Sequence, residues 1–410
     1  MRLVLKNIAR LLVAEHEPGP WVAGEEMASV TMVTDAWLVV ESGKIACFGE
    51  GEVIPFSDDE VLDCGGGMVL PAFCDSHTHL VYAGSREKEY EDKIRGLSYE
   101  EIALRGGGIL NSAKLLSETS EDELFKQSLP RALEIIRSGT GAVEIKSGYG
   151  LNTKDEMKML RVIRRIADET DLSIRSTFLG AHAVPAACGS DQEGYVNLVI
   201  QEMIPAVAGE GLADYIDVFC DRGFFTVDQT RRILEAGAKY GLPPKIHANE
   251  LDFSGGIQVG VECRARSVDH LEFVGEDELE ALKGSSTMPT ILPGASLFLG
   301  MSYAPARMMI DAGLPVALAS DYNPGSSPSG NMELVMSLGI MQLRMLPLEV
   351  LNAVTRNGAY AMGLEESHGS ITPGKTANLI ITEAIGDFAF MPYAYGSSQI
   401  KKVILNGKIQ

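Results

Sequence analysis

The chain has few basic residues for its length. It contains 35 lysines and arginines against 56 aspartates and glutamates, which gives a formal net charge of −21 over 410 residues. A protein that binds nucleic acid or an anionic membrane needs a basic face, so this composition argues against both partners. The acidic residues are scattered along the chain, which is typical of a solvated surface. We therefore expect a small-molecule partner, with no nucleic acid and no membrane.

Cysteine pairs with the spacing of a metal or redox motif are also missing. The six cysteines lie far apart, form no CxxC pair and fall mostly in apolar runs. This pattern indicates buried, reduced thiols and a cytoplasmic location. The six are Cys47, Cys64, Cys74, Cys188, Cys220 and Cys263.

Long uninterrupted apolar runs are the third absence. Residues 1–14 are largely apolar, but Arg2, Lys6 and Arg10 interrupt them, and no small-residue cleavage site follows. We therefore predict a strand here and no signal peptide. No run reaches the length of a transmembrane helix.

What the chain does contain is a regular alternation of strand-like and helix-like segments. With 45% hydrophobic residues, it can bury a large core. Strand and helix in eightfold repetition predict an α/β protein with a closed parallel (β/α)8 barrel of the TIM type. The expected strands are Met68 to Cys74, Gly141 to Lys146, Leu172 to Leu179, Tyr215 to Cys220, Pro244 to His247, Arg266 to His270, Thr287 to Leu292 and Pro315 to Ser320.

An open doubly wound sheet is the rival architecture. Such a sheet usually carries a glycine-rich phosphate turn after its first strand. The glycine cluster at residues 106–108 follows a helical stretch and lacks the GxGxxG spacing. Capping-box pairs predict three helix starts, at Ser98 with Glu101, Thr153 with Glu156, and Thr226 with Gln229.

The two ends of the chain lie outside the predicted barrel at residues 68–368. Residues 37–49 read as a hairpin with a Ser-Gly-Lys turn, and residues 378–381 and 402–408 read as strands. Neither end is long enough to bury a core alone. We expect residues 1–67 and 369–410 to pair into one small β-sandwich domain built from both termini.

The most informative short motif is an HxH pair, His77 and His79, at the end of the first apolar run. Alternate residues of a strand face one side, so both imidazoles can reach one metal ion. Two histidines at a strand end can also form a satisfied polar cluster, so the pair needs support from the rest of the chain.

That support comes from His247, His270 and Asp321, each of which ends a further apolar run. Barrel enzymes place their chemistry at the C-terminal ends of the strands. Three imidazoles and one carboxylate leave an open position for water, as in a catalytic zinc or iron site. We predict one metal ion per chain, Zn²⁺ or Fe²⁺/Fe³⁺, with His77, His79, His247 and Asp321 as ligands.

At these residues the chain resembles the amidohydrolase superfamily, and further segments resemble its imidazolonepropionase family. The resemblance covers nearly the whole chain, and the Gly-Ser-Arg, Ser-Gly-Tyr-Gly and Asn-Pro-Gly-Ser motifs are its most specific parts. The chain departs from the usual family pattern at residues 71–73, at Asn249 and at Asn378. Of these, only Asn249 lies near the expected chemistry, where it bears on local pKa values. The segments are residues 77–86, 106–110, 146–151, 180–183 and 321–328.

The resemblance implies hydrolysis of 4-imidazolone-5-propanoate to N-formimidoyl-L-glutamate, a step of histidine breakdown. A bound metal lowers the pKa of water from about 15.7 towards about 7, which supplies hydroxide at neutral pH. Asp321 would act as general base and pass the proton to the ring nitrogen. His270 would polarise the carbonyl or hold the water, and Glu250 would orient the ring nitrogens or relay protons.

The propanoate tail of that substrate calls for a cation. Arg86 offers a planar fork for a carboxylate, whereas a lone loop arginine usually forms a surface ion pair. The resemblance favours the first role. It also places five further residues in the pocket, with Asn323 and the backbone N–H groups of Gly325 and Ser326 as donors. The five are Tyr149, His182, Asn323, Gly325 and Ser326.

Some barrel amidohydrolases bridge two metals through a lysine on strand four. Here strand four ends in residues 218–221 without a lysine, and Lys146 ends strand two. We therefore expect one metal, with Lys146 as an internal partner of Glu144 or of a loop acid.

Two other functions remain open from the sequence. A purine or pyrimidine aminohydrolase of the same superfamily shares the four ligands but does not need Arg86 as a clamp. A non-enzymatic scaffold is disfavoured because the four candidate ligands are intact. Base rates favour a homodimer.

Overall fold

The computed structural model describes residues 2–97 and 107–410. The predicted helix start at Ser98 and Glu101 lies outside the described residues, as does Gly106. In the described part of the chain, strands are numbered β1 (Arg2–Leu12), β2 (Met32–Glu41), β3 (Lys44–Glu50), β4 (Glu60–Asp63), β5 (Met68–Pro71), β6 (Phe73–Thr78), β7 (Thr140–Lys146), β8 (Ser173–Ala181), β9 (Tyr215–Cys220), β10 (Ile246–Ala248), β11 (Ser267–His270), β12 (Met288–Ile291), β13 (Ala317–Leu318), β14 (Leu379–Thr382), β15 (Ile400–Leu405) and β16 (Lys408–Ile409).

Strands β6 to β13 form the predicted barrel. They pair in chain order, and every neighbouring pair is parallel. The seam between β13 and β6 is joined by two backbone hydrogen bonds: Asp321 N–H donates to the carbonyl of His77 over 3.0 Å, and His79 N–H donates to that of Tyr322 over 2.9 Å. The predicted (β/α)8 architecture is confirmed.

The predicted position of the first barrel strand is wrong. Residues 68–74 read as one apolar run, but the structure divides them around Ala72. Strand β5 pairs with β1 and β14 outside the barrel, and the barrel strand is β6. A continuous apolar run does not reveal where a chain leaves one sheet and enters another. The shift places His77 inside the first barrel strand and His79 just after it.

Helices connect the strands and cover the outside of the barrel. None of the described helices is long and apolar enough to cross a membrane. Their bounds are Glu87–Ile94, Ile109–Glu118, Glu121–Arg137, Thr153–Glu169, Gln192–Leu198, Ile204–Gly209, Val227–Lys239, Gly256–Glu262, Glu276–Leu282, Pro293–Leu299, Ala306–Asp311, Met332–Met341, Pro347–Val354, Arg356–Ala361 and Phe390–Tyr393, with 3-10 turns at Gly24–Ala28 and Ala186–Cys188 and a π-helical stretch at Val199–Met203.

One predicted capping box is confirmed and one is wrong. Thr226 caps its helix with Gln229 reciprocating. The helix Thr153–Glu169 is instead capped by Asn152, whose side chain accepts from the backbone of Asp155. Glu156 does not return to Thr153, because its carboxylate accepts from the backbone of the loop before the helix.

The termini form a separate mixed sheet. Its strand order is β16-β15-β14-β5-β1-β2-β3, with β4 also paired to β1. One buried apolar cluster takes residues from both ends of the chain, among them Leu5, Leu38, Leu379 and Ile404. This is the small β-domain expected from both termini, although hydrogen bonds join its strands into a single sheet. The boundaries at residues 67/68 and 368/369 stay a prediction.

Candidate metal centre and active site

Three histidines meet at the C-terminal end of the barrel. His77 lies in β6, His79 follows it, and His247 lies in β10, so the barrel brings together residues about 170 positions apart. One nitrogen from each ring can be chosen such that all three lie within 4.8 Å of one another. The Nε2 atoms of His79 and His247 are 3.4 Å apart.

Asp321 joins this cluster from the other side of the seam. Its Oδ1 lies 3.6 Å from His77 Nε2 and 3.7 Å from His79 Nε2. Its φ of +53° is a left-handed conformation that few side chains adopt, and such strain is often found at functional sites. Burial raises the pKa of Asp321 to about 7.

The donor set fits a single metal ion. Donors that surround zinc tetrahedrally at bonded distance stand about 3.3 Å apart, close to the separations found here. His77 Nε2 is buried and has no hydrogen-bond partner among the described residues. Burial lowers the pKa values of His77 and His79 well below 6.5, which favours the neutral imidazole that binds metals.

Each of the three rings has its Nδ1 atom turned towards an acceptor. His77 Nδ1 donates to Asp269 Oδ2 over 2.7 Å, and His247 Nδ1 donates to Asp217 Oδ1 over 3.0 Å. His79 Nδ1 lies 3.4 Å from a backbone carbonyl. Acceptors on the Nδ1 side leave Nε2 unprotonated and directed at the shared centre.

Asp217 and Asp269 were not recognised from the sequence. A signal was present for Asp217, because it is the one charged residue within an otherwise apolar predicted strand, Tyr215 to Cys220. Asp269 carried no such signal, because its predicted strand also contains Arg266, Ser267 and His270. Both aspartates are completely buried, and a buried carboxylate needs a partner.

The buried partner of these acids is Lys146. Its Nζ donates to Glu144 Oε1 and to Asp217 Oδ2, each over 2.7 Å, and lies 3.4 Å from Asp269 Oδ2. Burial alone lowers the pKa of Lys146, but attraction to Asp217 and Glu144 raises it overall. The expected pairing with Glu144 is confirmed, and the further partners are strand acids, not a loop acid.

His270 lies between two buried carboxyl groups. Its Nε2 is 3.7 Å from Glu250 Oε2, and its Nδ1 is 3.9 Å from Glu272 Oε2. Burial raises the pKa values of both glutamates and lowers that of His270. The structure thus brings His270 and Glu250 together as expected. It adds Glu272, which the sequence analysis missed although it stands only two residues after His270.

Arg86 is positioned by Glu89. The guanidinium binds Glu89 Oε2 through Nε over 2.8 Å and through Nη2 over 2.7 Å. Its Nη1 lies so close to Gly325 that a Cβ built there would stand 2.0 Å away. Gly325 is therefore required for a close approach, and not only as a turn residue. The side chain of Arg86 is largely buried.

The donors expected at Asn323, Gly325 and Ser326 are engaged in their own turn. The backbone N–H groups of Gly325 and Ser326 donate to Asn323 Oδ1 over 2.7 and 2.8 Å. Asn323 Nδ2 donates to the carbonyl of Asp321, and Ser326 Oγ donates to Asp321 Oδ2 over 3.0 Å. The turn thus satisfies these donors internally and braces Asp321, and the donation of these groups to the substrate stays a prediction.

Tyr149 and His182 pack over the histidine cluster. The ring of His182 stacks on His79 with centroids 5.2 Å apart, and Tyr149 lies 5.9 Å from His79. His182 Nδ1 donates to the carbonyl of Gly148 over 3.0 Å. Glu156 accepts the N–H groups of this same loop, so it helps to hold both rings in place.

Asn249 has a clear structural role. Its Nδ2 donates to the carbonyl of Phe273 over 2.9 Å, and the N–H of Phe273 donates to the carbonyl of Asn249 over 3.0 Å. An ionised aspartate cannot donate, so the amide joins the loops after β10 and β11 in a way that the acid would not.

A cavity of about 630 Å³ lies among the loops that follow β9 to β12. Glu272 lines it, and Glu272 Oε2 lies 3.9 Å from His270 Nδ1. Its other lining residues are Arg222, Gly223, Phe224, Leu251, Phe273, Met301 and Ser302.

A barrel with three histidines and an aspartate converging at the C-terminal ends of its strands defines the class of the amidohydrolases. The sequence model of the amidohydrolase family matches residues 68–410. An imidazolonepropionase of Christiangramia forsetii is 53% identical over 410 residues, and one of Flavobacterium johnsoniae is 52% identical; each match covers 100% of both chains. The chain belongs to the imidazolonepropionase family of the amidohydrolases, as its motifs predicted.

A solved structure of Escherichia coli guanine deaminase has a TM-score of 0.76 against this chain and is 14% identical, covering 100% of this chain and 98% of that one. At this identity the likeness concerns the fold alone. The full-length relatives therefore support the cyclic amide hydrolase and not the aminohydrolase alternative.

Proposed function

We propose that this chain hydrolyses the ring C–N bond of 4-imidazolone-5-propanoate and releases N-formimidoyl-L-glutamate. The observation that carries this proposal is the 53% identity to an imidazolonepropionase of Christiangramia forsetii, over a match that covers 100% of both chains. The site residues agree with it, because the barrel collects a candidate metal centre, titratable groups for proton transfer and a guanidinium for the tail.

The metal ligands in this proposal are His77, His79, His247 and Asp321, and the ion is zinc or iron. When bound, the ion would activate water and polarise the lactam carbonyl. The chain itself keeps the imidazoles of His77 and His79 neutral by burial, and it fixes the Nδ1 atoms of His77 and His247 through Asp269 and Asp217.

Asp321 is the proposed proton carrier. Its carboxylate lies beside His77 and His79, where it is placed to take a proton from the attacking water and to give it to the leaving ring nitrogen. Ser326 holds Oδ2 through a hydrogen bond, so Oδ1 is the oxygen that faces the reacting atoms. Water adds to the carbonyl carbon, the C–N bond breaks, and the nitrogen leaves protonated.

His270 and Glu250 are proposed to bind the reacting part of the ring. His270 is neutral in its buried position and can donate to the carbonyl oxygen or orient the water. Burial raises the pKa of the Glu250 carboxyl, so this group can share a proton with a ring nitrogen. Their 3.7 Å separation leaves the two groups free to bind different atoms of one ring.

Arg86 is proposed to bind the propanoate carboxylate. Glu89 occupies Nε and Nη2, which orients the guanidinium and leaves Nη1 beside Gly325. Tyr149 and His182 pack over His79. In this proposal Asn323, Gly325 and Ser326 line the pocket mainly by shaping the turn after Asp321.

The substrate is tested by direct comparison of turnover. Purified metal-loaded protein is incubated with 4-imidazolone-5-propanoate, guanine, cytosine and adenine, and product formation is followed by mass spectrometry. We expect formimidoylglutamate from the first and no ammonia release from the bases. Deamination of a base without hydrolysis of the imidazolone would reject the proposal.

We further propose that the protein works as a cytoplasmic homodimer. Six free cysteines, three of them buried, are typical of a reducing compartment. The proposal of a dimer rests on the high frequency of two-fold symmetric dimers among soluble oligomers. Sedimentation analysis of the purified protein tests it, and a monomer at micromolar concentration would reject it.

A further inference from the structure

Lys146 is fully buried at the base of the site, yet no role in the proposed reaction uses it. Its ammonium group contacts three carboxylates, those of Glu144, Asp217 and Asp269. A buried cation with several acidic partners needs an explanation, because burying the charges has a large desolvation cost.

Two of these carboxylates also hold the histidines. Asp217 accepts from Lys146 at Oδ2 and from His247 Nδ1 at Oδ1, over 2.7 and 3.0 Å. The N–H of His247 also donates to Asp217 Oδ1, over 3.2 Å. Asp269 uses one oxygen for both contacts, since Oδ2 lies 2.7 Å from His77 Nδ1 and 3.4 Å from Lys146 Nζ. One ammonium group therefore connects the supports of two candidate ligands that come from strands on different sides of the barrel.

We propose that Lys146 is a positioning residue of the metal centre, which fixes the carboxylates of Asp217 and Asp269 and through them directs the Nε2 atoms of His247 and His77 at one point. An acceptor at Nδ1 determines the tautomer and the orientation of a ligating imidazole. Because a single cation holds both acceptors, the two rings are aligned together and not independently. This inference rests on the proposed metal ligands.

Lys245 provides a matched control within the same barrel. It is also fully buried and also pairs with Glu144. Its Nζ also donates to the backbone carbonyls of Ser76 and Ala361, each 3.2 Å away, and lies 5.6 Å from the centre of the Tyr215 ring. Among the described residues it forms no hydrogen bond or ion pair with Asp217 or Asp269, although its charge acts on Asp269 at longer range. Removing Lys245 thus removes a buried charge from the same network without removing a hydrogen bond to the acids that hold the histidines.

The test measures metal binding by the full-length metal-free protein, with Lys146→Met compared with Lys245→Met. Affinity for Zn²⁺ is determined by competition with a chromophoric chelator, and the folded fraction is determined by circular dichroism. We expect Lys146→Met to lose affinity by about tenfold or more, as is usual when a support of a metal ligand is removed. Lys245→Met is expected to keep the wild-type affinity per folded molecule. Equal affinities in the two variants would overturn the inference.

A second pair of variants covers the case in which Lys146→Met does not fold. Asp217→Asn can still accept a hydrogen bond but removes the charge that pairs with Lys146. Glu144→Gln removes a charge from the same lysine at a side chain that contacts no histidine among the described residues. We expect weaker zinc binding in Asp217→Asn alone; unchanged binding there would contradict the inference. If the wild-type protein itself binds no metal, the proposed centre fails. If the wild type binds one and the variants match it, only the role of Lys146 fails.

Discussion

The backbone N–H of Asp321 donates to the carbonyl oxygen of His77 over 3.0 Å, so the seam that closes the barrel also joins two candidate metal ligands. Next to it, the carboxylate of Asp75 accepts from the N–H of Ser320 over 2.9 Å and from its hydroxyl over 2.5 Å. The first and last strands are thereby held in fixed register beside the site. Ligands on rigid strands are held more precisely than ligands on loops.

Removal of metal should abolish activity without unfolding the protein. The apolar clusters of the barrel and of the terminal sheet contain none of the four candidate ligands. We expect dialysis against a chelator to leave the circular dichroism spectrum unchanged and one equivalent of zinc or iron to restore turnover. Elemental analysis of active protein should give one metal per chain. Two equivalents would contradict the single-ion site, in which Lys146 is engaged with acids.

Substitution of the groups around the reacting ring should lower kcat. For His270→Ala and Glu250→Gln we expect a decrease of about 100-fold or more, since positioned acid–base groups contribute about this much. Metal content, measured on the same samples, should stay at the wild-type level because neither residue is a proposed ligand. Near-normal kcat in both variants with the metal bound would show that their roles are assigned wrongly.

Arg86→Ala should raise KM by about tenfold or more, since a charge-assisted hydrogen bond to a carboxylate is worth about 1.5–3 kcal/mol. The metal should be retained, because Arg86 lies outside the proposed ligand set. Arg95→Ala is the control: Arg95 forms an exposed ion pair with Glu91 at the end of the same helix. Steady-state kinetics on imidazolone propanoate separate the two, and an unchanged KM in Arg86→Ala would remove this residue from the site.

Gly325→Ala should reproduce part of the Arg86 defect. The new Cβ would stand 2.0 Å from Arg86 Nη1, so the guanidinium must move away from its present position. The backbone at Gly325 is outside the left-handed region, so alanine brings no conformational strain of its own. We expect a several-fold rise in KM with an unchanged melting temperature. Gly386→Ala, where a Cβ meets open space, should leave KM unaltered.

His368 should make stability depend on pH. Burial lowers its pKa from 6.5 to about 4, and both ring nitrogens hydrogen-bond to serine hydroxyls, those of Ser367 and Ser173. Between these two values the unfolded chain binds a proton that the folded chain does not, so stability falls as the pH falls from about 6.5 to about 4. The contribution is about 3 kcal/mol, fully present above pH 6.5.

This dependence is measured from chemical unfolding curves of wild type and His368→Gln across that range. We expect the free energy of unfolding of the variant to vary less with pH. His16→Gln, which removes an exposed histidine, is the control. Parallel curves for wild type and His368→Gln would contradict the prediction.

Much of the fold could be predicted because local patterns repeat. The eight apolar runs, the Ser-Gly-Lys hairpin and the capping box at Thr226 each depend on neighbours a few residues away, and the structure contains them. The first barrel strand was misplaced because β5 and β6 form one apolar run, and only their hydrogen-bond partners distinguish them. The capping box predicted at Thr153 and Glu156 was also wrong, because the Glu156 carboxylate binds the backbone of the loop before the helix.

The sequence by itself determined the residue types of the candidate metal centre and the strand ends at which they lie. Alternate residues of a strand point to the same side, and the C-terminal ends of all barrel strands lie at one face of the barrel. Only the tertiary structure decided which groups hold them. Asp217 and Asp269 reach His247 and His77 through contacts between residues 30 and 192 positions apart, and Gly325 matters through its approach to Arg86. Such contacts depend on how distant segments pack, and a local sequence pattern does not specify contacts between residues far apart in the chain.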